Sequence, residues 1–459
     1  MAKSKKAGRC YVGVDVGGTK ILAALAKPTG KILARKRETT PRSADPEDTF
    51  AALVALVSGL LTENEVRPRD VRAMGITVPG IIDSETGNVV ITPNMNLSGF
   101  PLGARLEREF GVPIALGNDV SMGTLGEQWL GSAALADSAV GIFVGTGIGG
   151  GIIIDGKLIT GHRGMAAEVG HMRMQTDGPL CGCGGHGCLE ALASRTAIER
   201  DIRQGIAAGR KTVLAESVSD GSGVIRSNVL RRALEVKDEL VQEVMTRAAQ
   251  VLGLACLQIR QLLDPEVIVL GGGLIEACKS HILPIVLEVM ATDGMAKARS
   301  GGKVVVSSLG DDAGVLGAVA LAQQYLGHDP LEKVRSAVRR HPTIAEVGDD
   351  SITVDSVTYD RDIYIRVDGK VGKRTKSHGE ANSDAPAVVE PADLKRVCKG
   401  DPSILIIGTG GNGTVVLSDD AEEFLRKRGI VYEPLPNREA ADAYNVIRGR
   451  KAALIHLGG

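Results

Sequence analysis

Three cysteines and a histidine form the most specific chemical pattern in the sequence. Cys181, Cys183 and Cys188 fall within eight residues, and His171 lies ten residues before the first of them. Thiolate and imidazole are the ligands that Zn²⁺ prefers in closed tetrahedral sites with a structural role. The spacing therefore predicts structural zinc, with His171 as the fourth ligand and His186, inside the cysteine loop, as a rival. The alternative is a cluster of small buried thiols.

Carboxylates suited to proton transfer and to sugar binding lie near this pattern. Asn118 and Asp119 follow the apolar run VPIALG, which places Asp119 at the carboxyl end of a strand. There it can take the proton of a substrate hydroxyl that Asn118 orients. The alternative is that Asp119 caps the helix that follows. Glu168 and Glu190 stand on either side of the cysteines and can accept hydrogen bonds from vicinal sugar hydroxyls.

Three glycine turns, each leaving a strand, are candidate phosphate-binding loops. Backbone N–H groups with no Cβ beside them are a common way to hold phosphates. One such turn is more often a plain turn, but three together favour a nucleotide site, and Asp15 at the first is a candidate ligand for Mg²⁺. Neither a Walker motif nor a Rossmann fingerprint stands in its proper context, so a different nucleotide fold is expected. The turns are Gly17, Gly18 and Thr19; Gly145 to Gly151 with Thr146; and Gly271, Gly272 and Gly273.

The elements that must position these residues predict an internally duplicated α/β fold. Residues 11–26 and 139–154 each show a β-branched run, a glycine turn containing threonine and a second apolar run, which is the pattern of a hairpin. Glycine is abundant in the composition and aromatic residues are scarce, so tight turns matter more in this chain than aromatic stacking. The other predicted elements are a helix over 45–61 with Asp45 as its N-cap, a strand over 73–78, helices over 188–209 and 229–263, a strand that ends at Gly271, a strand over 303–307 and a helix over 313–326.

The composition changes after residue 326, and this change predicts a second folded unit. Its alternating strands, buried strand and terminal helices indicate a small α/β domain. Its glycine turn GTGGNG, over 408–413, is either an anion site or a plain turn. The predicted organisation is an N-terminal lobe over 1–118 that a helix near 313–326 rejoins, a C-terminal lobe over 119–312 with the cysteines, a charged and prolyl linker over 327–350, and the small domain over 351–459.

Composition and charge exclude several classes of protein. The 459 residues are 43% hydrophobic and 24% charged, which is ordinary for a globular chain and unlike a fibrous or disordered one. The net charge of -1 supplies no field for a nucleic acid or an anionic membrane. No apolar stretch is long enough for a membrane helix, and the N-terminus does not resemble a signal peptide. We therefore expect a cytoplasmic protein that binds neither a nucleic acid nor a membrane. In that compartment cysteines stay reduced, which favours metal binding over disulfides.

The order of the motifs resembles the ROK family of repressors and sugar kinases, in the actin-like ATPase superfamily. DVGGTK, TVPGIID, TPN, GND, GTGIGGG, EVGH, CxCGxxGCxE and LGGGL follow one another between Tyr11 and about Leu326. GPLCGCGGHGCLEALAS looks like the glucokinase branch in particular. Where the family commonly has ENDAN, this chain has GNDVS, and where the family has PNL or PNW, this chain has PNM. The resemblance implies a two-lobed actin-like ATPase (ribonuclease H-like) α/β fold that binds ATP and a sugar between its lobes.

The resemblance also implies an activity, the ATP-dependent phosphorylation of a hexose at its 6-hydroxyl, with glucose as the expected substrate. Mg²⁺ is implied at the nucleotide and structural Zn²⁺ beside the sugar, and Asp119 would be the general base. His171 would give one ring nitrogen to zinc and the other to the sugar, in place of His186. The implied sugar-binding residues are Asn94, Asn118, Asp119, Glu168, His171 and Glu190. The implied nucleotide-binding residues are Asp15, Gly17, Gly18, Thr19, Lys20, Gly145, Thr146, Gly147, Gly149, Gly271, Gly272 and Gly273.

Alternatives to a glucokinase activity follow from the same residues. An N-acetylmannosamine, N-acetylglucosamine or fructose kinase is one, and a sugar-sensing binding module with vestigial catalysis is another. Family repressors carry a helix-turn-helix ahead of DxGGT, whereas ten residues precede Tyr11, so we expect no DNA-binding role. We expect a homo-oligomer, a dimer or a tetramer. The C-terminal unit resembles a small α/β domain shared by a mitochondrial complex I assembly factor and the adipogenesis-associated protein, a family with no agreed chemistry.

Overall fold

The structure is a computed structural model that divides into two compact units, Met1–Pro330 and Leu331–Gly459. Each unit is described by itself. The described residues are 10–83, 86–93, 95–134, 136–215, 224–295, 302–332, 341–348, 350–374, 387–400, 402, 404–410, 415–447 and 451–457.

The first unit contains two five-stranded sheets of the same topology. Its strands are β1 Cys10–Val16, β2 Lys20–Ala26, β3 Ile32–Thr39, β4 Val71–Val78, β5 Ile81–Asp83, β6 Asn88–Ile91, β7 Ile114–Asn118, β8 Ala139–Val144, β9 Ile148–Ile154, β10 Lys157–Leu158, β11 Val267–Gly271 and β12 Lys303–Val306. The strand orders are β3-β2-β1-β4-β7 and β10-β9-β8-β11-β12. In each sheet three antiparallel strands are followed by two parallel ones. The duplication predicted from the two hairpins is confirmed.

Helices cover both sheets, and two of the predicted helices are each divided in two. They are α1 Pro46–Glu63, α2 Leu102–Phe110, α3 Asp119–Leu130, α4 Leu189–Ala193, α5 Arg195–Ala207, α6 Ser227–Glu235, α7 Glu239–Leu263, α8 Gly273–Ala291 and α9 Asp312–Tyr325. Asp45 caps α1 as predicted, because its Oδ1 accepts the N–H of Glu47 at 2.9 Å. The predicted helices over 188–209 and 229–263 break where Ser194 and Asp238 cap new helices with their side-chain oxygens. None of the described helices combines the length and the apolar character that a membrane span requires.

The two largest hydrophobic clusters among the described residues of this unit lie one on each sheet. Helices α1 and α2 pack on the first sheet, and α5 to α8 enclose the second core. Helix α9 returns from the second half of the chain to pack on β1, β4 and β7, and it also packs along α3. Helix α3 also contacts β8 and β9 of the second sheet, so α3 lies where the two halves of the unit meet.

Helix α9 approaches β4 so closely that position 75 has room only for glycine. An ideal Cβ on Gly75 would stand 1.8 Å from the backbone oxygen of Ala318. Overpacking a core typically costs about 1–3 kcal/mol, and we expect Gly75→Ala to lower the free energy of unfolding by at least that much. Urea denaturation would measure it. Gly294→Ala is the matched control, since a Cβ there meets nothing within 4 Å. Equal stability of the two variants would show that helix α9 does not approach Gly75 this closely.

The second unit is a small α/β fold, as predicted. Its elements are β13 Ile344–Val347, β14 Ile352–Val354, β15 Val357–Tyr359, β16 Ile363–Ile365, β17 Val371–Lys373, β18 Ala387–Val389, α10 Pro391–Val397, β19 Ile404–Thr409, β20 Val415–Leu417, α11 Asp419–Lys427, β21 Val431–Leu435, α12 Asn437–Val446 and β22 Lys451–His456. Its main sheet has the order β17-β16-β22-β19-β21. Half of the GTGGNG turn, residues 411–413, lies outside the described residues.

The predicted linker over 327–350 extends into this second fold. Strand β13 lies inside that range and pairs antiparallel with β14. It has four residues, of which only Ile344 is buried, and a register shift interrupts its pairing. The alternation that marks a half-buried strand is therefore absent, and the sequence pattern does not reveal it.

Candidate functional site

The carboxyl ends of β1, β4 and β7 bring two acidic side chains to one edge of the first sheet. Asp15 on β1 is paired in register with Thr77 on β4, and Thr77 is paired with Gly117 on β7. Gly117 is followed by Asn118 and Asp119. The Thr77 hydroxyl donates to Oδ1 of Asp15 at 2.7 Å. Such an edge is where ligands bind in open α/β sheets.

The environment of this edge makes Asp119 suited to proton transfer. Burial, together with the charge of Asp15 and to a lesser degree that of Glu168, raises the pKa of Asp119 to about 7. Burial also raises the pKa of Asp15, against the hydrogen bond from Thr77. A carboxyl with a pKa near neutrality can exchange a proton with a substrate at physiological pH.

Helix α3 is capped by Asn118 and not by Asp119. Oδ1 of Asn118 accepts the backbone N–H groups of Val120 and Ser121, both at 3.0 Å, and its Nδ2 donates to the backbone oxygen of Gly80 at 3.0 Å. The alternative role for Asp119 as a helix cap is therefore excluded. Among the described residues, Nδ2 of Asn118, a predicted sugar contact, donates only to Gly80, which leaves its second amide hydrogen for a substrate.

The predicted metal ligands come together. One ligand atom from each of His171, Cys181, Cys183 and Cys188 lies within 4.8 Å of all the others. Nδ1 of His171 is 3.6 Å from Sγ of Cys181, and the sulfurs of Cys183 and Cys188 are 3.8 Å apart. In a tetrahedral site with Zn–S bonds of about 2.3 Å, the sulfurs stand about 3.8 Å apart. The four side chains thus fit a zinc ion in both type and spacing.

The two ring nitrogens of His171 face different groups, whereas His186 contacts the backbone. With Nδ1 at Cys181, Nε2 of His171 lies 3.9 Å from Oε2 of Glu168. His186 lies with Nδ1 3.1 Å from the backbone oxygen of Gly178 and is not a member of the cluster. Of the two candidate fourth ligands, the geometry favours His171.

Glu190 connects the cysteine loop to the second hairpin. Its Oε2 accepts the backbone N–H of Ile148 on β9 at 2.9 Å, and its Oε1 lies 3.8 Å from Sγ of Cys181. Because Glu190 lies in the first turn of the short helix α4, two residues after Cys188, its contacts connect the cysteine loop to the hairpin. The remaining predicted sugar contact, Asn94, lies outside the described residues.

The first glycine turn, Gly17 to Thr19, joins β1 to β2 beside Asp15. It is closed by the N–H of Gly17, which donates to the backbone oxygen of Lys20 at 2.9 Å. Lys20, the residue after this turn, has its Nζ 2.7 Å from Oδ1 of Asp311, and its role at the nucleotide stays a prediction.

The second and third turns lie at the ends of strands in the second sheet. The turn from Gly145 through Thr146 to Gly147 joins β8 to β9, and Gly149 beyond it packs against Val120 of α3. Residues Gly271 to Gly273 lead from β11 into α8. Position 272 has a φ of 88°, which favours glycine, and a Cβ there would meet the backbone oxygen of Val144 at 2.5 Å.

Two further side chains belong to this site, and the sequence reasoning missed both. Thr77, which donates a hydrogen bond to Asp15, has only a weak signal, as a polar residue within the apolar run over 73–78. Arg195 has no signal at all: its guanidinium donates to Oγ1 of Thr146 at 2.9 Å across many intervening residues.

A family model described as the ROK family matches residues 11–325. The chain belongs to the ROK family. It is similar to a glucokinase of Halalkalibacterium halodurans, with 32% identity over 69% of this chain and 96% of that protein. It is also similar to an N-acetylmannosamine kinase of Escherichia fergusonii, with 32% identity over 68% of this chain and 98% of the relative. The ROK part of the chain thus spans nearly the whole of these relatives.

The solved structures show the same ROK fold. A ROK family glucokinase from Streptomyces griseus in complex with glucose and AMPPNP has a TM-score of 0.60 and 32% identity, and it aligns over 69% of this chain and 99% of its own. The two-lobed α/β fold of the actin-like ATPase sugar kinases is confirmed. A second model, described as a protein of unknown function (DUF498/DUF598), matches residues 344–456. That description names no activity, so the likeness to the assembly factor and the adipogenesis-associated protein stays a prediction.

Proposed function

We propose that the protein is an ATP-dependent hexose kinase that converts glucose to glucose 6-phosphate. The observation that carries the proposal is Asp119, a carboxyl with a pKa raised to about 7 at the edge of the first sheet that also holds Asp15 and the first glycine turn. The name of the Halalkalibacterium relative, a glucokinase, supports the choice of glucose.

In the proposed reaction Asp119 is the general base. Its carboxylate takes the proton of the sugar 6-hydroxyl as that oxygen forms a bond to the γ-phosphorus of ATP. The bond from the γ-phosphorus to the bridging oxygen breaks in line, and ADP leaves with the electron pair. The alcohol proton stays on Asp119 until it is released to solvent, which a pKa near neutrality permits.

Two cations are part of the proposal, and the residues around both sites fit them. Asp15 would hold Mg²⁺ of the nucleotide, since Oδ2 of this buried carboxylate accepts no hydrogen bond from any described residue. Mg²⁺ supplies charge neutralisation on the phosphates when it is bound. His171 and the three cysteines would hold structural Zn²⁺, which orients the imidazole and the loop before Glu190.

The sugar hydroxyls would be held by side chains around the cysteine loop. Nε2 of His171 and the carboxylate of Glu168 lie together on one side, and Glu190 stands on the other. Asn118 adds its remaining amide hydrogen, and Asn94 is assigned from the family pattern alone. These groups bind the substrate and hold its 6-hydroxyl at Asp119.

Kinetics with a panel of sugars test the proposal and separate its alternatives. ADP release would be coupled to a spectroscopic assay with glucose, fructose, N-acetylglucosamine and N-acetylmannosamine. We expect the highest kcat/KM with glucose. A higher value for an N-acetylated sugar would support the rival kinases, because a 2-substituent must then be accommodated. Sugar binding by calorimetry with no ADP release would support a sensing module.

The first unit should be a complete kinase without the second. A fragment that ends at Ala337 retains every residue assigned to catalysis and helix α9, which packs on the first sheet. We expect it to be folded by circular dichroism and to phosphorylate glucose at close to the full-length rate. A fragment that ends before Asp312 is the control and should be unstable. A fragment ending at Ala337 that is folded but inactive would contradict the modular organisation. Sedimentation of the full-length chain and of this fragment would test the proposed homo-oligomer.

A further inference from the structure

The turn between β8 and β9 is held in place by the start of helix α5. The backbone N–H of Arg195 donates to the oxygen of Gly145 at 3.0 Å. The Thr196 hydroxyl donates to the backbone oxygen of Thr146 at 2.7 Å, and NH2 of Arg195 donates to Oγ1 of Thr146 at 2.9 Å. Three hydrogen bonds from two consecutive residues therefore fix both the backbone and the side chain of Thr146.

The bond from Arg195 decides what the Thr146 hydroxyl can do. A threonine hydroxyl has one proton to donate and two lone pairs that accept. Because the guanidinium donates to the oxygen, the hydroxyl proton must point away from Arg195. No acceptor for it is found among the described residues, and Thr146 is exposed. The side chain thus presents an oriented donor to solvent at a turn assigned to the nucleotide, and phosphate oxygens are acceptors.

Arg195 is itself rigidly placed. Its NH1 lies 3.5 Å from Oε2 of Glu199 and 3.4 Å from the backbone oxygen of Ile225, and its side chain is 16% exposed. Glu199 is shared with Arg203, whose Nε is 3.1 Å from Oε1. Glu199 thus contacts both guanidinium groups, and Arg195 is held by its contacts with Glu199 and Ile225 as well as by the bond to Thr146.

We propose that Arg195 is a positioning residue of the nucleotide site, which acts by holding the hydroxyl proton of Thr146 toward a phosphate oxygen of ATP. The inference rests on the proposed kinase function. It predicts that the two side chains act as one unit on the nucleotide and have no effect on the sugar.

A double-mutant cycle on the full chain tests the coupling. Arg195→Met removes a charge-assisted hydrogen bond and should raise KM for ATP about tenfold, with KM for glucose unchanged. Thr146→Val should do the same. In the Thr146→Val background, Arg195→Met should add less than about a twofold change, because its target is already absent. Thr146→Ser, which keeps the hydroxyl, should restore the tenfold response to Arg195→Met.

The controls separate this inference from the proposed function. Arg203→Met removes the other guanidinium that bonds Glu199 and should leave KM for ATP at the wild-type value. Calorimetry with Mg²⁺-AMPPNP measures the same coupling without turnover, and so reads it even if no sugar is phosphorylated. An active wild type with additive effects of the two variants, about a hundredfold together, would overturn the inference. So would an equal rise in KM for glucose, or no change in KM for ATP.

Discussion

Asp119→Asn should abolish phosphoryl transfer and leave glucose binding nearly intact. Loss of a general base typically lowers a rate about 10² to 10⁴-fold, whereas the amide still hydrogen-bonds the 6-hydroxyl. Coupled ADP release would measure kcat, and calorimetry would measure the Kd for glucose. Asp48→Asn, an exposed aspartate on α1, is the matched control and should keep the wild-type rate. A kcat for Asp119→Asn above about a tenth of wild type would show that another group is the base.

The pH dependence follows from the same carboxyl. Only the ionised form of Asp119 can accept the proton, so kcat/KM of the wild type should fall as the pH drops through about 7. The folded-state pKa lies above the ordinary value of 3.8, so the folded state holds a proton that the unfolded chain releases. Stability from this group is therefore present at low pH and is lost as the pH rises toward 7. At pH 8, Asp119→Asn should be more stable than the wild type, by about 4 kcal/mol at most.

Cys183→Ser should lose both the metal and the affinity for glucose. We expect one Zn²⁺ per chain in the purified wild type by elemental analysis, since four suitable side chains converge. Loss of the ion should release the imidazole of His171 and the loop before Glu190, and such changes typically lower binding or activity about 10 to 100-fold. The Kd for Mg²⁺-AMPPNP should change much less, because the thiols lie beside the sugar groups.

His186→Gln is the matched control for the zinc site. His186 lies in the same loop as Cys183, but it faces the backbone of Gly178. The variant should keep both zinc and glucose affinity. If His186→Gln lost zinc while His171→Gln kept it, His186 and not His171 would be the fourth ligand. Active wild-type enzyme without zinc would contradict the site as a whole.

Much of this protein follows from short stretches of its sequence. The two hairpins are predicted because a hairpin depends on β-branched runs and a glycine turn that are neighbours in the sequence. Asp45 is predicted to start α1 because an N-cap bonds only backbone groups in the first turn of its own helix. The thiol and imidazole spacing predicts a tetrahedral set because all four ligands lie within one short segment. The order of the motifs indicates the family, and with it the two-lobed fold and the position of Asp119.

Contacts between distant segments were decided only by the tertiary structure. The register of three parallel strands sets Asp15 beside Thr77 and near Asp119, and burial, together with the charge of Asp15, raises the pKa of Asp119. Asn118 rather than its neighbour caps α3, and Lys20 pairs with a carboxylate far along the chain. No local pattern encodes these choices, because each depends on which atoms the packing of separate elements places within hydrogen-bond distance.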